Sequence, residues 1–405
     1  MIGTDSGAII SYGYRLAATS GDQVEMILRR VVEKEERRFG VDLRLCDCLR
    51  LDEGTAKSID GGWDTIFAAA DLWRLDSALV HNVLSKSLAP QIPAIILPDG
   101  RMTVSAALAQ RDAAHRERRA VFGDRLDELV AALNTHGIVP LLIKGSRSIW
   151  TGAPDWRALR DLDLLVPGPD AVKAQAIAIK LGYSPDGGLE RFGTWHHRPN
   201  LYRRDLPGWI EIHNRGGVPR AEQFIPTAEL FSSAYEVSSP KGRVRLLPPH
   251  LHILHGLVHH HLGHDAGRRG EIDLKGLYEF AAEVAVLDPK ELQLLNDRAA
   301  RHPRLAAIVD MWVAGSADLF GLTVAPPLSL KQDAVAWWQN VRARTDSDVP
   351  IPSNSAARRE EFAAACAPSR LSRGRLGRHA AARLAWRAII ALSFVQRPAL
   401  LPAGV

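Results

Sequence analysis

The segment LLIKGSRSIWTGAPDWRALRDLDLLV, residues 141–166, contains the second part of one apolar run, IVPLLIK (138–144), and the whole of another, LDLLV (162–166). Both runs are too short for helices and are bounded by Gly, Pro or charged residues, so they read as strands buried on both faces. A chain with two such strands close together must build a sheet and cover it with helices. The patterns around them agree. A long helical stretch leads to Gly137, a suitable stop. After Pro167-Gly168-Pro169, AVKAQAIAIKLGY reads as a helix, and PNLYRR and GWIEIHN read as further strands. In the last of these, Ile210 and Ile212 point one way while Glu211 and His213 point the other. Beyond RVRLLPP the pattern is wholly helical, from His250 to about Phe320.

The N-terminal region is also helical in pattern. Residues 20–39 place Val24, Ile27, Leu28, Val31 and Val32 at helical spacing, and 64–86 reads as a second amphipathic helix. The Pro-rich LAPQIPAIILPDG then marks a boundary near residue 100. Four units follow: an N-terminal helical part (1–100), a strand-bearing core (101–247), a helical part (248–330) and a basic tail (331–405) with helical segments. The net charge of +5 does not speak for a nucleic-acid partner, because nine arginines lie from Ala356 onward and the excess belongs to the tail. No domain-sized basic and aromatic surface is visible elsewhere. Three cysteines provide neither a disulfide framework nor a CxxC pair, the N-terminus lacks a basic start followed by an apolar core, and no stretch is long and apolar enough to span a bilayer. A cytoplasmic protein is expected.

Chemistry concentrates at the strand ends. Gly145 lets the backbone turn sharply and approach a ligand, and Ser146 offers a hydroxyl and an amide to a phosphate oxygen. Taken alone, Gly-Ser is ordinary turn chemistry. Asp161 and Asp163 are two apart, so in extended conformation both carboxylates leave one face while Leu162 enters the core. Two such acids repel unless a cation lies between them, and hard oxygen donors suit Mg²⁺. Glu211 stands in the apolar run WIEIH, where an acid needs a partner. If its strand lies beside the Asp-Leu-Asp strand, three carboxylates converge, enough to hold two divalent ions about 3.5–4 Å apart.

Strand, Gly-Ser, spacer, Asp-x-Asp and a third acid on a later strand together resemble the nucleotidyltransferase superfamily with the polymerase-beta-like fold. LLIKGS, RALRDLDLLV and WIEIH are more closely similar to a bacterial branch of nucleotidyltransferase family proteins, in order from about residue 105 to 280. LHILHGLVHHH and EIDLKGLYEF, with its early Asp273, look like that branch's helical portion. The resemblance implies an α+β fold, a small mixed-sheet core flanked by N-terminal and C-terminal helical regions. It also implies that Gly145 and Ser146 hold the phosphates of a nucleoside triphosphate, with Lys144 and Arg157 as candidate cations for the leaving phosphates. Asp161, Asp163 and Glu211 would bind two Mg²⁺ ions, with Mn²⁺ as the alternative, and Glu211 would help activate the acceptor. The acceptor itself is open: a small molecule, a peptide or a protein, in a peptide natural-product or polysaccharide pathway. ATP is the default donor.

Seven histidines between 250 and 264 leave competing readings. His255 and His259 have i, i+4 spacing that suits a metal, and His264-Asp265 resembles the pair of a metal-dependent phosphohydrolase. A non-catalytic nucleotide-binding module is the third reading. His196, His197 and His213 are either ordinary strand residues or the lining of an acceptor site.

Overall fold

The computed structural model describes residues 43–50, 63–85, 94–97, 100–185, 196–263 and 273–345. The helix expected at 20–39, the Arg-rich stretch beyond 356 and the His264-Asp265 pair lie outside these residues.

The first described elements are α1 (Leu43–Cys48), α2 (Trp63–Trp73) and α3 (Asp76–Ser85). The stretch 64–86, expected as one helix, is thus two. Arg74 takes a left-handed φ of 59°, and the amide of Leu75 bonds the Ala70 carbonyl at 2.8 Å, closing α2 without a glycine. The Pro-rich segment holds a hairpin, β1 (Ala94–Leu97) against β2 (Gly100–Thr103), which runs into the long α4 (Val104–Thr135). The expected stop at Gly137 is present: with φ 76°, its amide bonds Asn134 and the Ile138 amide bonds Leu133. These two bonds satisfy the last carbonyls of α4 and set Ile138 against Leu133 in the core.

The run 138–144 provides only two ladder residues, β3 (Leu141–Leu142), because α5 (Lys144–Thr151) starts at once. Ile143 is still extended, and Lys144 turns the chain with φ 50°. There follow β4 (Asp161–Leu165), α6 (Ala171–Lys180), β5 (Ser184–Pro185), β6 (Leu201–Tyr202) and β7 (Trp209–His213). Next come α7 (Thr227–Ser233) and the hairpin β8 (Tyr235–Ser239) with β9 (Gly242–Leu246). The remaining described elements are helical: α8 (Pro249–Val258) with a π-helical turn at His259–Gly263, α9 (Leu274–Ala285), α10 (Pro289–Ala300), α11 (Pro303–Phe320) and α12 (Gln332–Thr345). The fold is α+β, as expected.

One seven-stranded mixed sheet, in the order β5-β6-β7-β4-β3-β9-β8, organises these elements. Its centre pairs β4 with β7 in parallel and β4 with β3 antiparallel. Pleating then sorts the side chains. Leu142, Leu162, Leu164, Ile210 and Ile212 point to one face, where Phe122, Leu126, Leu129 and Leu133 of α4 and Ala174 and Ile177 of α6 cover them in one apolar cluster. Leu141, Ile143 and Leu165 belong to a second cluster on the other face, built from α8–α12 together with α1–α3. Cys46 and Cys48 are buried in this second cluster. Among the described residues no helix is long and apolar enough to cross a membrane.

Candidate active site

Polar residues gather on the second face, at the centre of the sheet. The parallel register sets Asp161 opposite Trp209, Asp163 opposite Glu211 and Leu165 opposite His213. Because side chains alternate along a strand, Asp161, Asp163, Glu211 and His213 all leave the same face. The three acids expected to converge therefore sit on neighbouring strands.

Contacts around Asp163 are dense. Its side chain is about 1% exposed, and its Oδ1 lies 2.7 Å from Lys144 Nζ and 2.9 Å from His213 Nε2. His213 Nε2 also stands 3.3 Å from Glu211 Oε2, and Lys144 Nζ is 3.9 Å from the same oxygen. Asp163 Oδ2 is buried without a hydrogen-bond partner. The Ser146 hydroxyl accepts the backbone N–H of Asp163 at 2.7 Å, tying the first turn of α5 to β4. Gly145 precedes it in that turn, and a Cβ there would meet Leu159 Cδ2 at 3.0 Å.

Electrostatics follow from this crowding. Burial and the neighbouring Asp163 and Glu211 charges push the Asp161 carboxyl up to about 6. Burial also acts to raise Asp163, but the Lys144 ammonium and the His213 hydrogen bond outweigh it and hold that carboxyl below its usual range. Glu211 behaves likewise, lowered by His213 and Lys144 against the effect of burial. His213 is raised: burial and Lys144 oppose its charge, yet its bonds to two carboxylates prevail. Lys144, buried among three acids, is held firmly protonated.

The remaining residues take other places. Arg157 is buried, with Nη2 2.9 Å from Glu279 Oε2 and Nη1 3.4 Å from Glu283 Oε1, so it links the loop before β4 to α9. Glu279 also lies 3.6 Å from His260 Nε2, and His260 Nδ1 is 2.8 Å from Asp273 Oδ2. Asp273 caps α9 by accepting the Gly276 N–H at 2.9 Å. His255 bonds the Gly216 carbonyl at 2.6 Å, and Trp312 Nε1 donates to His261 Nδ1 at 3.2 Å. His196 and His197 pack around His213 in tilted and edge-on fashion, with ring centroids 5.4 and 5.5 Å away. Among the described residues, Asp163, Glu211 and His213 form a cluster whose ligand atoms all lie within 4.8 Å of one another. The place of His213 in that cluster was readable from its phase with Glu211. No motif in the sequence singles out Glu279 or Glu283, although Glu279 in LYEFAA carries the same signal as Glu211, an acid inside an apolar run.

A mixed sheet packed between helices, with a carboxylate cluster at the centre of one face, is the framework expected of an enzyme that transfers nucleotidyl groups. A family described as "Uncharacterised nucleotidyltransferase" matches residues 60–313, and the chain belongs to that family. No curated protein and no solved structure matches the chain. Membership supports nucleotidyl transfer in general, with a nucleoside triphosphate as substrate.

Proposed function

We propose that the protein transfers a nucleoside monophosphate, from ATP by default, to a hydroxyl or phosphate group of a small molecule, peptide or protein, with a divalent cation, Mg²⁺ or Mn²⁺, as the cofactor. The carrying observation is the convergence of Asp161, Asp163 and Glu211 on one face of paired strands in a chain of this family. The donor set fits a divalent cation. Two carboxylates lie within ligand reach of each other, and Asp163 Oδ2 is a buried oxygen without a partner, an arrangement that costs free energy unless a cation completes it.

Asp161, Asp163 and Glu211 would hold one or two ions. When bound, such ions draw charge from the phosphate oxygens and lower the pKa of the acceptor hydroxyl. In the reaction the acceptor oxygen bonds the α-phosphorus, the bond from that phosphorus to the bridging oxygen breaks, and pyrophosphate leaves with the electron pair. The acceptor proton passes to a base or to solvent. Glu211 is held ionised, which suits a ligand better than a proton acceptor, since a good base has a pKa near the working pH. Lys144 balances the acids and is the cation in place to meet an incoming phosphate. Ser146 fixes the Asp163 backbone, and at Gly145 a Cβ would press on the Leu159 side chain. Arg157 already faces two glutamates, so its contribution is to hold α9 against the site rather than to bind phosphate.

The test is incubation of the purified full-length chain with Mg²⁺, each α-labelled nucleoside triphosphate and pooled cellular acceptors. Transfer of the α-label with release of pyrophosphate, lost in a folded Asp163→Asn variant, is the expected result. Transfer of a γ-label instead, or unchanged transfer by Asp163→Asn, would refute the reading.

A further inference from the structure

We infer that His213 is itself a metal ligand, binding through Nε2 beside Asp163 and Glu211, and that this nitrogen makes the centre favour Mn²⁺ over Mg²⁺. The inference rests on the proposed metal-assisted reading of the site and specifies its chemistry.

Three observations carry it. First, His213 Nε2 is 2.9 Å from Asp163 Oδ1 and 3.3 Å from Glu211 Oε2, so one ion could touch all three groups with little movement. Second, Asp163 Oδ2 is buried and unpartnered in the same cluster, so the group is more than a patch of acids. Third, the imidazole is buried and flanked by the rings of His196 and His197, which fix its plane toward the carboxylates. Mg²⁺ prefers an octahedron of oxygens and gives up water reluctantly. Imidazole nitrogen suits first-row transition ions, and Mn²⁺ is the member of that series that carboxylate oxygens also suit. Ligation requires Nε2 to lose its proton to the solvent as the ion binds. His213 Nδ1 is buried without a hydrogen-bond partner. The ring therefore lacks the acceptor that usually raises a ligand histidine's basicity, and the two carboxylates supply most of the affinity.

The competing explanation is that Nε2–H only donates hydrogen bonds that position the acids. Chelator-treated full-length protein, without nucleotide, is titrated calorimetrically with MnCl₂ and separately with MgCl₂, and the Mn²⁺ form is studied by pulsed electron paramagnetic resonance. Expected are tighter binding of Mn²⁺ than of Mg²⁺ and nitrogen modulation characteristic of a bound imidazole. His213→Gln, which replaces the nitrogen by an amide oxygen, should remove the modulation and weaken Mn²⁺ about tenfold or more, the scale on which changes around a metal alter affinity. Mg²⁺ binding should change far less. Equal affinity for the two ions, absence of nitrogen modulation in the wild-type chain, or modulation surviving in a folded His213→Gln variant would each overturn the inference. The wild-type spectrum decides the matter even if the variant does not fold. Nucleotidyl transfer does not enter these measurements, so a failure of this inference and a failure of the transfer reading give different results.

Discussion

Replacing Arg157 by Met tests whether this residue holds the helices to the sheet. The guanidinium is about 7% exposed, and its removal would leave Glu279 and Glu283 facing each other in a buried site. Breaking a buried pair by removing one partner costs about 3–5 kcal/mol, because the remaining charge is uncompensated. His260 and Lys275 each stand 3.6 Å from Glu279 and retain part of the compensation, so the lower end, about 3 kcal/mol, is expected. Replacing Arg157 and Glu279 together by Met removes both charges, and buried ion pairs exchanged for apolar groups of similar volume are often near neutral. The double variant should therefore recover much of the loss. Equilibrium urea unfolding of the full chain, comparing midpoints and slopes, measures both numbers. A loss under about 1 kcal/mol in Arg157→Met, together with a large rise in KM for the nucleoside triphosphate, would refute the reasoning and return Arg157 to the phosphates.

Three further outcomes are expected. Gly208→Ala should destabilise severely, by more than the ~1–2 kcal/mol of a left-handed residue, since φ is 77° and a Cβ would stand 2.1 Å from the Arg160 carbonyl oxygen; thermal unfolding reads this directly. His260, opposed by burial but raised to about 9 by Asp273 and Glu279, is protonated in the folded chain above its ordinary 6.5. Its contribution is then fully present below 6.5 and lost as pH rises through about 9, and a urea midpoint that falls across this window in the wild type but much less in Asp273→Asn checks it. Ser146→Ala should cost about 1–3 kcal/mol by leaving the buried Asp163 N–H without its acceptor, and calorimetry should show weakened metal binding by a still-folded protein.

Much of this architecture was legible because it is periodic. The alternation in WIEIH placed Glu211 and His213 together, and the pleat of DLDLL placed Asp161 with Asp163. Which strands are neighbours was not periodic information, and the resemblance to nucleotidyltransferases supplied it. The break between α2 and α3 escaped notice because Arg74, a residue with no turn preference, adopts the conformation that glycine usually supplies. The run 138–144 looked like a longer strand because Ile143 is extended and buried, although helix α5 begins one residue later. The partners of Arg157 lie more than a hundred residues away along the chain, and nothing local to PDWRALR announces them.

The alternating pleat also limits how such a chain can change length. Loops between the strands can gain or lose single residues without altering which way a side chain points. Inside β4 or β7, one inserted residue would push carboxylates into the oily layer beneath the sheet and lift leucines into the place of the ligands. Only changes in twos keep the frame, so the lengths of these two strands should drift far more slowly than those of the segments that join them.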